Sequence, residues 1–419
     1  MQLVIIAGGK GTRLGLKDIP KPMCPINGKP LLEMQIDLAK RYGINEIFIL
    51  SGHLSQVIID YFGDGSKFGV NIHHIVESKP LGTAGSLKLL EGTLKERFLV
   101  FYGDVVMDFD IKSFIEFDKQ NEKSIGSLIV HPGNHPYDSD LVEVNDKKEI
   151  IGFLPKPHPK DLLYRNLNNA AVYILSPKIF NEIPNDVNTD FGKDIFPKIV
   201  QDCKLLRAYD TPEYIKDMGT PDRLQHISED VRSGLVASLN RKNPRRAIFL
   251  DRDGTINVNM DTHPTVECFT LLPGVPDAIR LINESLYLAV VVTNQPMIAK
   301  GFLTFDQLKL IDKKMETLLG EKRAYLDKIY FCPHHPERGF SGEITELKIQ
   351  CNCRKPKPGM LLQAAQEMNI DLANSWMIGD SATDVEAGIA AGCKTIKLDN
   401  KTTLLDAVTR ILNINEAII

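Results

Sequence analysis

The chain has 419 residues, of which 43% are hydrophobic and 25% are charged, and its formal net charge is −4. These values are typical of a globular protein of about two domains and argue against a disordered or fibrous chain. The small negative charge gives no electrostatic reason to expect nucleic acid as a partner. No apolar stretch approaches the roughly 20 residues that span a bilayer, and the opening apolar run is too short for a secretion signal. We therefore expect a cytoplasmic protein with no membrane partner.

Apolar, β-branched runs alternate with helical patterns along the first half of the chain, which predicts an α/β domain with a parallel sheet. The predicted strands are 3–7, 46–50, 71–76, 98–102 and 126–130. A polar helical pattern over 222–239 leads into residues 240–246, where the apolar periodicity stops. Strands resume at 247–250, 288–292, 328–331, 375–378 and 394–398. We predict two doubly wound α/β domains, over residues 1–232 and 246–419, with a linker over 233–245.

A glycine-rich turn follows the first predicted strand. Glycine lets the backbone approach an anionic ligand and present amide donors at the start of a helix, which is typical of a phosphate-binding loop. Two cationic side chains nearby are able to neutralise a triphosphate and its departing pyrophosphate. The predicted nucleotide-binding residues are Gly8, Gly9, Gly11 and Thr12, and the cationic catalytic residues are Arg13 and Lys21.

This segment, together with Pro20-Lys21-Pro22-Met23, resembles the sugar-1-phosphate nucleotidyltransferase family, and the resemblance covers about residues 1–230. It implies transfer of a nucleotidyl group to a sugar phosphate, with Mg²⁺ bridging the two reactants. The resemblance assigns further residues: Gly82 and Thr83 to base recognition, Asp104 and Asp217 to Mg²⁺, and Lys156 and Asn169 to the sugar phosphate and sugar. Members of the family commonly have Glu at position 155 and Gly at position 171, where this chain has Pro155 and Ala171, so we expect an unusual sugar pocket.

A pair of carboxylates, Asp251 and Asp253, follows the buried run 247–250. Two carboxylates two residues apart suit phosphoryl transfer, because one can attack phosphorus while the other handles the proton of the leaving group. The segment 251–255 resembles the first motif of the haloacid dehalogenase phosphatase superfamily, with Asp251 as nucleophile and Asp253 as acid and base. The later motifs of the superfamily appear in order. The resemblance assigns Thr293 and Asn294 to binding of the phosphoryl group and Lys357 to neutralisation of the aspartyl phosphate. It assigns Asp380 to Mg²⁺, together with Asp251 and the Asp253 carbonyl. Asp384 is either outer support for the metal or a charge at the start of a helix.

Two tight pairs of soft or borderline ligands indicate a closed, structural zinc site. The ligands are Cys332, His334, Cys351 and Cys353, with His335 as an alternative to His334. This arrangement resembles the branch that contains histidinol-phosphate and heptose-bisphosphate phosphatases, over about residues 245–410, and it implies that Arg354 and Lys355 contact the distal part of the substrate. Relatives usually have Ser-Gly after the motif at 293–295, where this chain has Pro296-Met297.

A fusion is most easily understood if one site consumes the product of the other. The resemblances imply removal of the 7-phosphate from D-glycero-D-manno-heptose 1,7-bisphosphate, then transfer of GMP from GTP to give GDP-heptose, with the α-anomer expected. One alternative is a mannose or other hexose 1-phosphate guanylyltransferase joined to a phosphatase of a separate step. Another is a silent sugar-nucleotide sensor that regulates a phosphatase of the histidinol-phosphate type. In each case the partners are small molecules, and the sequence does not indicate an oligomeric state.

Overall fold

The computed structural model describes residues 1–9, 11, 14–15, 18–260 and 264–416, with the side chains of 414–416 left out. The chain divides into two compact units, and both are α/β. The first unit comprises Met1–His131, Ser139–Lys156 and Leu167–Asn240. The second comprises Arg241–Ile419 together with two short segments from earlier in the chain, Pro132–Asp138 and Pro157–Asn166.

Strands and helices alternate along the first unit. Its strands are β1 (Leu3–Ile6), β2 (Pro25–Ile26), β3 (Lys29–Pro30), β4 (Glu46–Ser51), β5 (Asn71–Val76), β6 (Phe98–Tyr102), β7 (Val105–Asp108), β8 (Gly126–His131), β9 (Leu141–Val144), β10 (Ile150–Leu154), β11 (Asn168–Leu175), β12 (Leu206–Asp210) and β13 (Tyr214–Asp217). Its helices are α1 (Leu31–Arg41), α2 (Ser55–Phe62), α3 (Gly82–Leu87), α4 (Ile111–Lys119), α5 (Phe196–Gln201), α6 (Pro221–Arg232) and α7 (Leu235–Ser238). Short 3-10 turns lie at Lys21–Met23, Ser66–Phe68, Lys88–Leu90 and Pro177–Asn181, and a π-helical turn lies at Phe191–Ile195.

In the described part of the first unit, nine strands form one sheet, with β1 between β4 and β6. The strands β6, β1, β4 and β5 are parallel, as predicted, but β11 runs antiparallel to both β6 and β8, so the sheet is mixed. Alternate residues of β1 face opposite sides, which places Leu3 and Ile5 in one apolar cluster and Val4 in another. Helices α1, α2 and α4 pack into the first cluster, and α3 and α5 pack into the second.

The predicted linker over 233–245 contains a helix of the first unit. Leu235 and Val236 of α7 are both buried, Val236 lies in an apolar cluster with Ile26 and Tyr214, and the Asn240 amide donates to Asp108 over 2.6 Å. The Val236 contacts and the Asn240 hydrogen bond hold this segment against the first unit. The boundary between the units therefore falls between Asn240 and Arg241.

The second unit is built on a parallel sheet of strands β14 (Arg246–Leu250), β15 (Tyr287–Asn294), β16 (Lys328–Cys332), β17 (Trp376–Gly379) and β18 (Lys394–Lys397), in the order β16-β15-β14-β17-β18. Its helices are α8 (Val275–Asn283), α9 (Pro296–Ala299), α10 (Phe305–Gly320), α11 (Gly359–Met368), α12 (Ala382–Ala391) and α13 (Leu404–Glu416), with 3-10 turns at Pro136–Asp138, Thr345–Leu347 and Leu372–Asn374. Helices α8, α10 and α13 pack with Ile248 and Leu250 on one face of the sheet, while Ala247 and Phe249, which alternate with them, are also fully buried.

This parallel sheet brings the carboxyl ends of β14, β15, β16 and β17 to one edge. Loops that follow the strands at such an edge form the ligand sites of doubly wound folds. The predicted catalytic and magnesium-binding residues Asp251, Asp253 and Asp380 lie just after these strand ends, whereas the predicted zinc ligands Cys351 and Cys353 lie in the long loop between β16 and α11. Within the described ranges, no helix combines the length and apolarity that crossing a bilayer requires.

Candidate functional sites

Asp251 directly follows β14 and lies at the centre of the second unit's site. Its Oδ1 accepts a hydrogen bond from Lys355 Nζ over 2.7 Å, and the same ammonium donates to the Val292 carbonyl over 2.8 Å. Lys355 also lies 2.6 Å from Asp384 Oδ1. All three side chains are buried, so the attraction between them is weakly screened.

Asp251, Asp380 and Asp384 form a carboxylate cluster whose ligand atoms all lie within 4.8 Å of one another. Burial, together with the neighbouring Asp384, raises the pKa of Asp251 to about 6 against the opposing attraction of Lys355. Burial and Asp384 also raise the pKa of Asp380. Because three carboxylates outweigh one ammonium here, the cluster suits a hard divalent cation with oxygen ligands such as Mg²⁺.

The sequence left open whether Asp384 supports the metal or places a charge at the start of a helix, and its two carboxylate oxygens are positioned for both. Its Oδ2 accepts from the backbone and hydroxyl of Ser381, which caps helix α12, while its Oδ1 faces Lys355 in the cluster. Gly254 lies against the same group at φ +84°, where a Cβ would overlap the Asp380 carboxylate. Only glycine adopts this conformation readily and leaves that space free.

Asp253 is held by three donors. Its carboxylate accepts from Arg252 Nη2 at 3.0 and 3.3 Å, from Asn257 Nδ2 at 3.0 Å and from Gln295 Nε2 at 2.8 Å. The Gln295 amide also donates to Thr293 Oγ1 over 3.0 Å, which places the predicted phosphoryl-binding hydroxyl beside the predicted acid. Sequence reasoning missed this bridging amide, although Gln295 directly follows two residues that it selected.

Two predictions about this site require correction. The lysine paired with Asp251 is Lys355, whereas Lys357, predicted to neutralise the aspartyl phosphate, is exposed. The Asn294 side chain, predicted to bind the phosphoryl group, instead donates to the Lys355 carbonyl over 3.1 Å and accepts from the Lys355 amide over 3.0 Å. This pair of hydrogen bonds fixes the loop so that the Lys355 side chain enters the site.

The four predicted zinc ligands come together at the end of β16. The three sulfur atoms of Cys332, Cys351 and Cys353 lie 3.2 to 3.5 Å apart, and His334 Nδ1 lies 3.3 and 3.6 Å from two of them. Ligands about 2.3 Å from a tetrahedral zinc ion have similar separations, so the group fits zinc. His335 is not part of it, since its Nδ1 faces the Glu337 carbonyl.

Arg354 joins this zinc cluster to the aspartate site. Its backbone amide donates to Cys351 Sγ over 3.4 Å, and its guanidinium donates to the His334 carbonyl over 3.4 Å. The next residue along the chain is Lys355. The zinc ligands therefore fix the loop that carries the lysine into the site.

In the first unit, the glycine loop begins where β1 ends. Thr12 and Arg13, predicted to bind the nucleotide and to act in catalysis, lie outside the described residues. Lys21 is buried at the start of a 3-10 turn, and its Nζ lies 2.5 Å from Asp104 Oδ2. A predicted catalytic cation and a predicted metal ligand are thus in direct contact.

Asp104 and Asp217, the two predicted Mg²⁺ ligands, lie at the same end of the paired strands β7 and β13, with Asp104 in the turn just before β7. Asp217 ends β13 opposite Val105 of β7, and the Met218 amide donates to the Asp104 carbonyl over 3.2 Å. Arg223 Nη1 donates to both Asp217 carboxylate oxygens, at 2.9 and 2.8 Å. The donor set fits a divalent cation, and each carboxylate has a cationic partner that balances its charge.

The predicted base and sugar residues lie near a half-buried polar cluster. Thr83 Oγ1 donates to Asp190 Oδ2 over 2.8 Å, and the rings of Tyr102 and Tyr173 meet edge to face with their centroids 5.8 Å apart. Burial raises the pKa of both tyrosine hydroxyls well above the usual value, and the Thr83 and Asn169 side chains lie close enough to lower it in part. Gly82 has φ +76° and lies against the Thr189 carbonyl, where a Cβ would overlap it. Asp190, Tyr102 and Tyr173 gave no local motif by which the sequence would identify them.

Ala171 occupies the position where nucleotidyltransferases commonly have glycine, and it adopts φ +56°. The Asn169 Oδ1 accepts from its backbone amide over 3.2 Å, at an irregularity in the pairing of β11 with β8. The unusual residue therefore keeps the backbone conformation that glycine favours. Lys156 is exposed, and its amide donates to Asp140 Oδ1 over 3.2 Å.

Glu77 is a further carboxylate beside the glycine loop. It accepts from the Leu81 amide over 2.9 Å, lies against Gly8, and has a pKa raised by burial. Sequence reasoning missed it, because a glutamate just after a predicted strand is most often a solvated charge.

Comparisons with known proteins cover both units. The family model of nucleotidyl transferases matches residues 2–234, and the HAD-hydrolase-like model matches residues 352–409. The D-glycero-beta-D-manno-heptose-1,7-bisphosphate 7-phosphatase of Yersinia pestis is 46% identical over 149 residues, which are 36% of this chain and 77% of that protein. The protein of the same name from Escherichia coli (strain K12) is 44% identical over 149 residues, 36% of this chain and 76% of that protein.

Among solved structures, HddC from Yersinia pseudotuberculosis complexed with GMP-PN is 28% identical, with a TM-score of 0.48, and the match covers 55% of this chain and 99% of that chain. The family model spans more than half of the present chain, and the phosphatases are matched over about three quarters of their length. The chain therefore belongs to the nucleotidyl transferase family and, through its second unit, to the family of these phosphatases, and it is a bifunctional enzyme that joins a nucleotidyltransferase to a haloacid dehalogenase phosphatase.

Proposed function

We propose that the enzyme removes the 7-phosphate of D-glycero-D-manno-heptose 1,7-bisphosphate and then transfers GMP from GTP to the resulting heptose 1-phosphate, releasing pyrophosphate and GDP-heptose. The observation that carries this proposal is the union in one chain of a nucleotidyltransferase with a unit 46% identical to a phosphatase named for that bisphosphate. The product of such a phosphatase is a sugar 1-phosphate, which is the class of substrate that a sugar nucleotidyltransferase consumes.

In the second unit, Asp251 is proposed as the nucleophile. A bond forms between its carboxylate oxygen and phosphorus, the bond from phosphorus to the sugar oxygen breaks, and that oxygen takes a proton from Asp253. A water molecule then gives a proton to Asp253 and forms a bond to phosphorus. The bond between phosphorus and the Asp251 oxygen breaks, its electron pair returns to the Asp251 carboxylate, and inorganic phosphate leaves. Lys355 orients the Asp251 carboxylate and offsets its charge. Mg²⁺ held by the carboxylate cluster would stabilise the charge that builds on the transferring group.

In the first unit, the glycine loop is proposed to hold the phosphates of the nucleotide through backbone amides. Lys21 lies in contact with Asp104, so its charge is available next to the proposed metal site, where pyrophosphate departs. The cluster of Thr83, Tyr102 and Asn169 is proposed to bind the base and the sugar. Retention of Arg13, Lys21, Asp104 and Asp217 at the motif positions of the family argues against a silent sensor.

The base and the anomer need a direct test. Guanine is proposed from the sequence resemblance of the first unit, and the expected anomer is α, whereas the matched phosphatases are named for the β-anomer. The test is a one-pot assay with both anomers of the bisphosphate, Mg²⁺ and each nucleoside triphosphate in turn, recording release of phosphate and pyrophosphate.

Two variants separate the activities. Asp251→Asn should release no phosphate from the bisphosphate but should still convert heptose 1-phosphate with GTP. Lys21→Met should do the opposite. If mannose 1-phosphate is converted faster than heptose 1-phosphate, the hexose alternative replaces this proposal. If phosphate appears but no nucleotide yields pyrophosphate, the first unit acts as a sensor and the coupled function is lost.

A further inference from the structure

Arg252 stands between the proposed nucleophile and the proposed acid, and its side chain is fully buried. Its Nη2 donates to both oxygens of Asp253, while Nη1 lies 3.5 Å from Asp312 Oδ1 on helix α10. Taking a guanidinium out of water costs several kcal/mol, and an apolar side chain of similar volume often gives equal or greater stability. The buried charge is therefore better explained by what it does to Asp253 than by stability.

Asp312, which contacts Arg252 from helix α10, is itself held in place. Asp312 is 6% exposed, and Glu316, one turn later on α10, is 4% exposed and pairs with Arg165. Residues four apart lie on the same face of a helix, and Arg165 contributes attraction to Asp312 as well. The carboxylate that holds Arg252 is thus fixed on a 16-residue helix whose first turn has a capping box.

We propose that Arg252, anchored by Asp312, is a positioning residue that sets the orientation of Asp253 for proton transfer. The inference rests on the proposed role of Asp253 as acid and base. Asn257 donates to Oδ1 and Gln295 donates to Oδ2 of this carboxylate, and both donors are neutral amides. Arg252 is the charged donor of the three: its Nη2 reaches both oxygens while its Nη1 contacts Asp312, so the guanidinium links the Asp253 carboxylate to helix α10.

The test compares two substrates that differ in their need for a proton. A sugar phosphate has a poor alkoxide leaving group and needs the acid, whereas p-nitrophenyl phosphate releases a stable phenolate without one. Arg252→Lys keeps the charge but removes the two nitrogens that link Asp253 to Asp312. It should lower kcat/KM for the sugar phosphate, which covers only the steps up to the phosphoaspartate, by about tenfold or more, within the range of general acid catalysis, and change kcat/KM for p-nitrophenyl phosphate by less than about threefold.

Two further variants sharpen the experiment. Asp312→Asn should give the same pattern with a smaller loss, and it carries the test if Arg252→Lys does not fold. In an Asp253→Asn background, Arg252→Lys should cause no additional loss, because residues that act through one another are not additive. Arg245→Lys is the matched control: Arg245 is also buried, but it donates to the Met368 carbonyl, so the ratio of the two activities should not change.

Equal losses on both substrates, or an additive loss in the Asp253→Asn background, would overturn the proposal and leave Arg252 with a purely structural role. Asp253→Asn alone separates this failure from a failure of the proposed function. If Asp253→Asn itself does not discriminate between the two substrates, Asp253 is not the acid and the inference falls with that role. If Asp253→Asn discriminates but Arg252→Lys does not, only the positioning role is lost.

Discussion

Lys355 and Lys357 are only two positions apart in sequence, yet Lys355 is buried beside the proposed nucleophile and Lys357 is exposed to solvent. Both stand in the run Arg354-Lys355-Pro356-Lys357-Pro358, which has no helical or strand periodicity to indicate which side chain faces inward. Asn294, which ends a strand 61 positions earlier in the sequence, hydrogen-bonds to the Lys355 backbone. These bonds determine which of the two lysine side chains points into the site. Sequence alone identified the motif but not the residue.

Exchange of each lysine for methionine tests this assignment. Lys355→Met should lower the phosphatase kcat by at least about 100-fold, because it leaves the nucleophile beside a second carboxylate with no cation. Lys357→Met should change kcat by less than about threefold, as expected of a surface substitution. Steady-state phosphate release measures both, and a larger loss for Lys357→Met would contradict the assignment.

Ala171 allows a prediction about stability. A left-handed backbone costs a residue with a Cβ roughly 1–2 kcal/mol relative to glycine, so Ala171→Gly should stabilise the first unit by about 0.5–1 kcal/mol. The control is Ala170→Gly, a buried neighbour in the same strand, which should destabilise it by about 1 kcal/mol. Urea unfolding followed by circular dichroism measures both changes, and loss of stability in Ala171→Gly would contradict the argument.

At the scale of elements, apolar runs located most strands of both sheets to within one or two residues. Strands β9 to β12 of the first sheet were not predicted, and the antiparallel direction of β11 depends on the path of the long connections before it and not on its own composition. The grouping of Cys332, His334, Cys351 and Cys353 was predictable for the opposite reason. These four side chains are of types that can hold a metal and lie in two tight pairs, so the residue types alone restrict the choice.

Zinc bound by the Cys/His cluster should stabilise the conformation of the loop that carries Lys355. We expect about one zinc ion per chain in the purified protein and none in Cys351→Ser. Loss of the ion should lower the melting temperature of the second unit by several degrees, and added Mg²⁺ should not restore it. Elemental analysis and thermal unfolding check this, with the exposed Cys203→Ser as control. Zinc retained in Cys351→Ser would contradict the assigned ligand set.

At the scale of the whole molecule, the second unit is discontinuous in sequence. The segment Pro157–Asn166 belongs to it, with the Tyr164 amide donating to Thr317 Oγ1 over 3.1 Å and Arg165 pairing with the buried Glu316. No composition shift or linker marks this segment, because the residues that hold it lie about 150 positions further along the chain. A division of the sequence into two consecutive domains could not include it.

Arg165→Met should therefore destabilise the second unit, although in sequence position 165 lies between two segments of the first unit. We expect a loss of about 1–2 kcal/mol, since the buried Glu316 loses its ion pair with Arg165, while the 39% exposure of the Arg165 side chain weakens that pair through solvent screening. The single tryptophan, Trp376, lies in β17, so its fluorescence reports on this unit alone. Arg280→Met, which removes an exposed pair with Asp277, is the matched control and should cause no measurable change.

The same discontinuity has a consequence for synthesis on the ribosome. Arg165 precedes Glu316 by 151 residues, and a ribosome that adds about 5–20 residues per second needs about 8–30 seconds to cover that distance. During this interval the first unit can complete its own sheet, while the segment that carries Arg165 has no helix to receive it. A nascent chain is therefore expected to remain sensitive to proteases near residues 157–166 until α10 has emerged.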